Sequence, residues 1–355
     1  MSGRLELRRG VVVAADPLAV EVDGERRLAW ADTTLLGEMR EGDEVVVNTE
    51  ALDLDLGSGG FDVVHVNLTR GLAGGGPGGN EHVMKLNYTS LQHPVEPVER
   101  VANATERSWF LRDEMRPKGT TPRGERGMGV LVLPLHGHLA PAAWAAAQAA
   151  PGLKVGYVQT AGGALPGSLS RDVAELRERG LLCGHITAGP AYGGEYESLS
   201  TVGALDAAHR LGWDAVLAGP GPGIVGSATR LGHGGMAALD TAHAALSLRM
   251  PTFLSLRLSA ADPRPRHRGV SHHTLTVLEL LLASVEIAIP EGQEEIAAEL
   301  ESAVGGRHRL QVKAVDLGGY ATTGLPSQTM GRNLKEDPLF FAAALAAGAA
   351  LRQEG

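Results

Sequence analysis

Residues 252–283 read TFLSLRLSAADPRPRHRGVSHHTLTVLELLLA, and they divide into three parts. Thr252 to Leu258 is an apolar run with β-branched and aromatic residues, the pattern of a buried strand. From Ser271, a good N-cap residue, the apolar spacing becomes helical. Between them lies a loop that gathers Asp262, Arg264, Arg266, His267, Arg268, Ser271, His272 and His273. A strand, a polar loop at its carboxyl end and a helix together make half of a βαβ unit.

The same unit recurs on both sides. Strand-like runs are expected at 130–135, 155–159, 181–187, 215–218, 252–258, 285–289 and 310–315. Helical segments are expected at 140–150, 168–179, 198–211, 236–248, 271–284, 292–304 and 337–352. Strands alternating with helices at this spacing predict an α/β fold, with a mostly parallel doubly wound sheet covered on both faces. No period of 20–50 residues repeats, which argues against a solenoid.

The amino-terminal stretch differs. Short alternating runs at 5–14, 19–22, 27–31 and 44–48 are separated by turn signals such as Asp16-Pro17 and Asp23-Gly24. They predict a small β-barrel-like domain of five or six strands. The expected boundaries are 1–70 for this domain, 71–127 for a connection and 128–355 for the α/β domain. The connection opens with the glycine-rich linker GLAGGGPGGN (71–80). It continues through a strand at 81–88, a helix at 98–115 and a basic loop at 116–126.

Composition sets further bounds. The chain has 355 residues and a net charge of −9, and 43% of its residues are apolar, as in an ordinary soluble globular protein. Aromatic residues make up only 4% while alanine and glycine abound, so the helices should be slim and closely packed. Residues 1–70 carry 14 acidic and 7 basic groups, which would repel a phosphate backbone and excludes nucleic acid as a partner of the barrel. Cys183 is the single cysteine and sits in an apolar run, which suggests a core position and a reducing cytoplasm. No apolar stretch approaches the ~20 residues that span a bilayer, so no membrane partner is expected. A homo-oligomer is compatible with all of this.

In an open α/β sheet, ligands bind outside the carboxyl ends of the strands. Polar residues and glycines follow five consecutive strands: His136 and His138; Gly162 and Gly163; Glu195; Gly221, Gly223, Gly226 and Ser227; and the 262–273 loop. The return turns are bland. His136 and His138, an H-x-H pair, suit a divalent metal, with His272 as a third ligand. Asp262, His267, His273 and Glu195 join these histidines as candidate catalytic groups. Arg264, Arg266 and Arg268 could clamp an anion, or could be a solvated face paired with Asp262.

Gly221-x-Gly223-x-x-Gly226 superficially matches a dinucleotide loop. Pro220 and Pro222 remove amide donors that such a loop uses, so nicotinamide binding is not expected. Phosphate-loop and serine-hydrolase signatures are absent.

Several stretches resemble a bacterial protein family of unknown function: EHVMKLNYTSLQHPVE (81–96), LHGHLAP (135–141), QTAGGALPG (159–167), GPGPGIVGSATRLGHGG (219–235) and DPRPRHRGVSHHT (262–274). The likeness runs through nearly the whole chain and implies one two-part protein. It carries no activity, cofactor or catalytic residue. The expected function is an enzyme, a hydrolase or group-transfer catalyst with metal assistance, acting on a small anionic metabolite. The rival expectation is a non-catalytic sensor of the same metabolite.

Overall fold

The computed structural model describes residues 4–56, 59–74, 81, 83–101 and 127–351. The chain separates into two compact units, residues 1–81 with 86–94, and residues 82–85 with 95–355.

The smaller unit is a closed barrel of five strands in the order β1-β2-β3-β5-β4. These are β1 (Leu7–Ala15), β2 (Leu18–Val22), β3 (Glu25–Trp30), β4 (Glu44–Asn48) and β5 (Asp62–Asn67). Alternation puts Val12, Val20, Val22, Val45, Val47 and Val64 inside with Met39. Gly10 permits closure, because a Cβ there would lie 2.5 Å from Val20 and 2.7 Å from the Glu21 carbonyl. Asp43 is fully buried, accepts from Arg70 at 2.8 Å and from Asn67 at 3.0 Å, and so stays ionised inside the barrel wall.

The larger unit carries an eight-stranded sheet in which every pairing is parallel. In chain order its strands are β6 (Gly129–Val132), β7 (Val155–Thr160), β8 (His185–Ala188), β9 (Tyr196–Ser198), β10 (Ala215–Pro220), β11 (Thr252–Leu254), β12 (Glu286–Pro290) and β13 (Arg309–Lys313). Across the sheet the order is β9-β8-β7-β10-β6-β11-β12-β13.

Burial on both faces follows from the strand sequences. Val130 and Val132 point to one side, Leu131 and Leu133 to the other; Val216 and Ala218 oppose Ala215 and Leu217. One side packs on α1 (Leu139–Ala149), α2 (Arg171–Glu178) and α7 (Pro338–Ala349). The other packs on α3 (Thr201–Arg210), α4 (Ala237–Ser247), α5 (His272–Leu280) and α6 (Glu294–Val304). The alanine-rich helices meet nearly backbone to backbone: a Cβ on Gly348 of α7 would fall 2.2 Å from the Ala142 carbonyl of α1. No helix among the described residues is long and apolar enough to cross a membrane.

Three expectations need comment. Cys183 is exposed at a turn before β8, not a core strand residue. The apolar pair ahead of it closes α2 instead, with the Leu181 and Leu182 amides donating to the Leu176 carbonyl. The strand expected at 81–88 is shorter, Val83–Lys85. Of the helix expected at 98–115, Val98–Val101 is helical and the rest lies outside the described residues, as do most of the glycine linker and the whole basic loop.

Candidate functional site

The sheet order creates two topological switch points. The chain leaves β7 for β8 on one side and β10 for β11 on the other, so a crevice opens at the carboxyl ends of β7 and β10. It leaves β6 for β7 and β11 for β12, again in opposite directions, so a second crevice opens between β6 and β11. The two lie next to each other because β10 and β6 are paired.

At the β7–β10 crevice the glycines allow loop to lie on loop. A Cβ on Gly163 would come 2.1 Å from the Gly221 carbonyl, and one on Gly234 would come 1.9 Å from the Gly162 carbonyl. Gly162 and Gly223 have φ of 108° and 76°, which only glycine adopts without strain. Beyond Pro220 the chain makes an excursion closed by a bridge between Gly226 and His233, with Ser227 Oγ donating to the Gly232 carbonyl at 2.9 Å. The next helix begins only at Ala237, so this is not the strand-turn-helix of a dinucleotide site.

His136 belongs to this side. Its Nε2 lies 2.8 Å from Ser170 Oγ and its Nδ1 3.3 Å from the Pro220 carbonyl, which Tyr157 Oη also donates to. Burial pushes its pKa down to about 4. His185 lies 3.2 Å from Gln159 Oε1, stacks on Tyr157, and is likewise pushed down to about 4 by burial. Burial raises the nearby Asp172 carboxyl.

Four other histidines come together at the far side. His272 and His273 form the first turn of α5, whose N-cap Ser271 accepts from the His273 amide and also lies 2.7 Å from His267 Nδ1. His273 stacks on His233 at 3.5 Å, and the ring centres of His267 and His272 are 5.0 Å apart. Burial is the first cause lowering all four pKa values, reaching about 3 for His267 and about 2 for His273. Mutual repulsion and the nearby arginines add to it. At neutral pH these are uncharged imidazoles with lone pairs to offer.

The charges beside them are ordered by Asp262, which is fully buried. Burial alone would raise its pKa, but the hydrogen bonds from Arg264 hold it well below the usual carboxylate range. Arg264 binds it through both Nε and Nη2 at 2.9 Å. Arg332 reaches it at 3.4 Å and Arg257 lies 3.6 Å away. Arg257 is itself buried and donates to His273 Nδ1 at 3.1 Å. Arg268 donates to the Asp262 carbonyl at 2.9 Å, and Arg266 is exposed.

The structure thus joins His267, His272, His273, Asp262, Arg264 and Arg268 in one place. Glu195 lies elsewhere, in a surface ion pair with Arg177 at 2.8 Å. The structure does not bring His136, His138 and His272 together as one set of possible metal ligands. Among the described residues, the ligand-like group is His267, His272 and His273, with one ring nitrogen from each within 4.8 Å of the others. His136 is instead taken up by Ser170 and Pro220. His138, pushed down to about 3 by burial, has its Nδ1 2.9 Å from Ser255 Oγ.

Arg257, Arg332 and His233 were not among the expected residues. Arg257 carried a signal nonetheless, as the one charge inside TFLSLRLS. His233 stood in the quoted GHGG. No curated protein and no solved structure matches the chain. One family model covers residues 28–348, and the chain therefore belongs to the family described as Protein of unknown function (DUF3866).

Proposed function

We propose that the larger unit is an enzyme that binds a small anionic metabolite over the carboxyl ends of β6, β10 and β11. Hydrolysis or group transfer with metal assistance is the chemistry that suits the groups there. The observation that carries this is the packing of four uncharged histidines against Arg257, Arg264 and Arg332, with Asp262 as their shared carboxylate. A neutral imidazole serves as base or ligand. Guanidinium groups in excess of carboxylates leave a positive balance for an anion, with exposed Arg266 at the rim. Nucleic acid and membrane have no role in this reading, and a reducing cytoplasm is the proposed setting for a chain with one cysteine.

The test is turnover by the purified chain across phosphorylated and carboxylated metabolites. His272→Ala is expected to lower kcat about 100-fold or more, and Arg266→Ala to raise KM without lowering kcat. Saturable binding with no product would favour the sensor reading instead. Neither binding nor turnover across the panel would sink both.

A further inference from the structure

We propose that His267, His272 and His273 form a divalent transition-metal site, with His233 bracing it and zinc as the ion that fits best. The site rests on the location argued above and gives that reading its cofactor.

Three observations carry it. The first is convergence. A ring nitrogen from each of the three histidines lies within 4.8 Å of the other two. On a tetrahedral zinc with bonds of ~2.0–2.1 Å the nitrogens would be about 3.4 Å apart, so ring rotations of about an ångström close the set.

The second is unsatisfied lone pairs. His272 Nε2 and His233 Nδ1 are buried with no hydrogen-bond partner among the described residues. A buried polar atom left so costs about 1–3 kcal/mol, which asks for a ligand.

The third is outer-shell support. His267 Nδ1 lies against Ser271 Oγ, and His233 Nε2 lies 3.0 Å from the Arg230 carbonyl. The Arg230 carbonyl makes His233 Nε2 the protonated nitrogen, and with Ser271 Oγ accepting from His267 Nδ1–H the Nε2 lone pair of His267 is left for an ion. Gly235 keeps the space clear, since a Cβ there would sit 3.0 Å from His233 Nδ1 and 3.5 Å from His273 Nδ1.

The donor set selects the metal class. It is all imidazole, which suits zinc, copper or nickel, whereas magnesium and calcium require oxygen ligands. One cation already competes: Arg257 donates to His273 Nδ1. Metal entry requires Arg257 to release that nitrogen and turn to Asp262, whose Oδ2 is 3.6 Å away. Asp262 is thus a positioning residue for the ion, and three protein ligands leave a fourth position for water or substrate.

The test uses the full chain, stripped with chelator and titrated calorimetrically with zinc chloride, with cobalt(II) absorption as a second readout. One equivalent is expected to bind. His267→Ala and His272→Ala should each weaken it by about a hundredfold or more and abolish the tetrahedral cobalt spectrum, while His136→Ala keeps both. Melting curves in chelator establish that each variant is folded; His272→Gln replaces any that is not. Absence of stoichiometric uptake, or uptake undiminished in the folded His267 and His272 variants, overturns the site. Turnover that survives exhaustive chelation also overturns it while leaving the anion reading intact. Stoichiometric zinc without turnover supports the site and counts against catalysis.

Discussion

His136 with His185 and the cluster of His233, His267, His272 and His273 invite comparison. His136 and the cluster follow strands of the parallel sheet, whereas His185 opens β8 within it, and burial keeps both groups neutral. They differ in what their nitrogens do. Both nitrogens of His136 have protein partners, in Ser170 and the Pro220 carbonyl, and His185 is stacked and bonded to Gln159. In the second group His233 and His272 each keep a buried nitrogen without a partner among the described residues. The first arrangement holds loops together; the second has binding capacity to spare. Burial alone, therefore, does not separate a structural histidine from a functional one, and neither does one unmet nitrogen, since His138 Nε2 is also buried without a partner among the described residues; the convergence of His267, His272 and His273 makes the difference.

The comparison is broken most severely through the carboxylates. Asp262→Ala leaves Arg257 and Arg264 without their shared counter-charge, Arg332 keeping Asp337 at 3.1 Å, and is expected to cost about 3–5 kcal/mol in chemical denaturation. Asp172, beside His136, has a raised pKa, so its charge is disfavoured where it stands. Asp172→Asn should then be neutral or mildly stabilising. Equal losses in the two variants would show that the two sides are not electrostatically distinct.

The next effect is steric. Gly234→Ala drives a methyl into the Gly162 carbonyl and should cost about 1–3 kcal/mol while displacing neighbouring His233. Gly223→Ala meets open space and bears only the strain of φ 76°, about 1 kcal/mol. A reversed order would mean that the loops do not lie as closely as described.

The histidines sharpen the comparison through pH. Their folded pKa values lie below the unfolded value of ~6.5, so the unfolded chain binds more protons at acid pH. The stability they provide is complete above pH ~6.5 and is lost as pH falls toward about 4 for His136 and about 3 for His267. Each contributes a slope of up to ~1.4 kcal/mol per pH unit in that window. The melting temperature should fall steeply from pH 6.5 to 4.5. Saturating zinc should lift the whole curve without changing its slope, because the folded cluster is proton-free in this window with or without the ion, and an unmoved curve would show that the lone pairs take no ion. The smallest effect is expected at the surface: Glu195→Ala removes a half-exposed ion pair and should change stability by no more than about 0.5 kcal/mol, with turnover unchanged.

Much of the fold was legible in the chain. Runs such as VLVL (130–133) are apolar on both faces and alternate with helical spacing, which is what a sheet covered twice requires. β9 was not legible, because Tyr-Glu-Ser is too short and polar to announce a strand. In the barrel, β5 hid behind the Asp62 and His65 that interrupt its valines. Within the site, residues close in sequence were readable together, from Asp262 to His273. His233 and Arg332 were not, since what joins them to that loop is the strand order, and no local pattern encodes which strands will be neighbours.

That order has a consequence during synthesis. β6 is the first strand of its sheet to leave the ribosome, yet both of its partners, β10 and β11, come much later, the second ending at Leu254. Until then β6 has bare edges and nothing to pair with. The middle of the sheet must therefore assemble late, through long-range closures that are slow to form. A chain cut near residue 250 would lack β11 and should aggregate rather than fold.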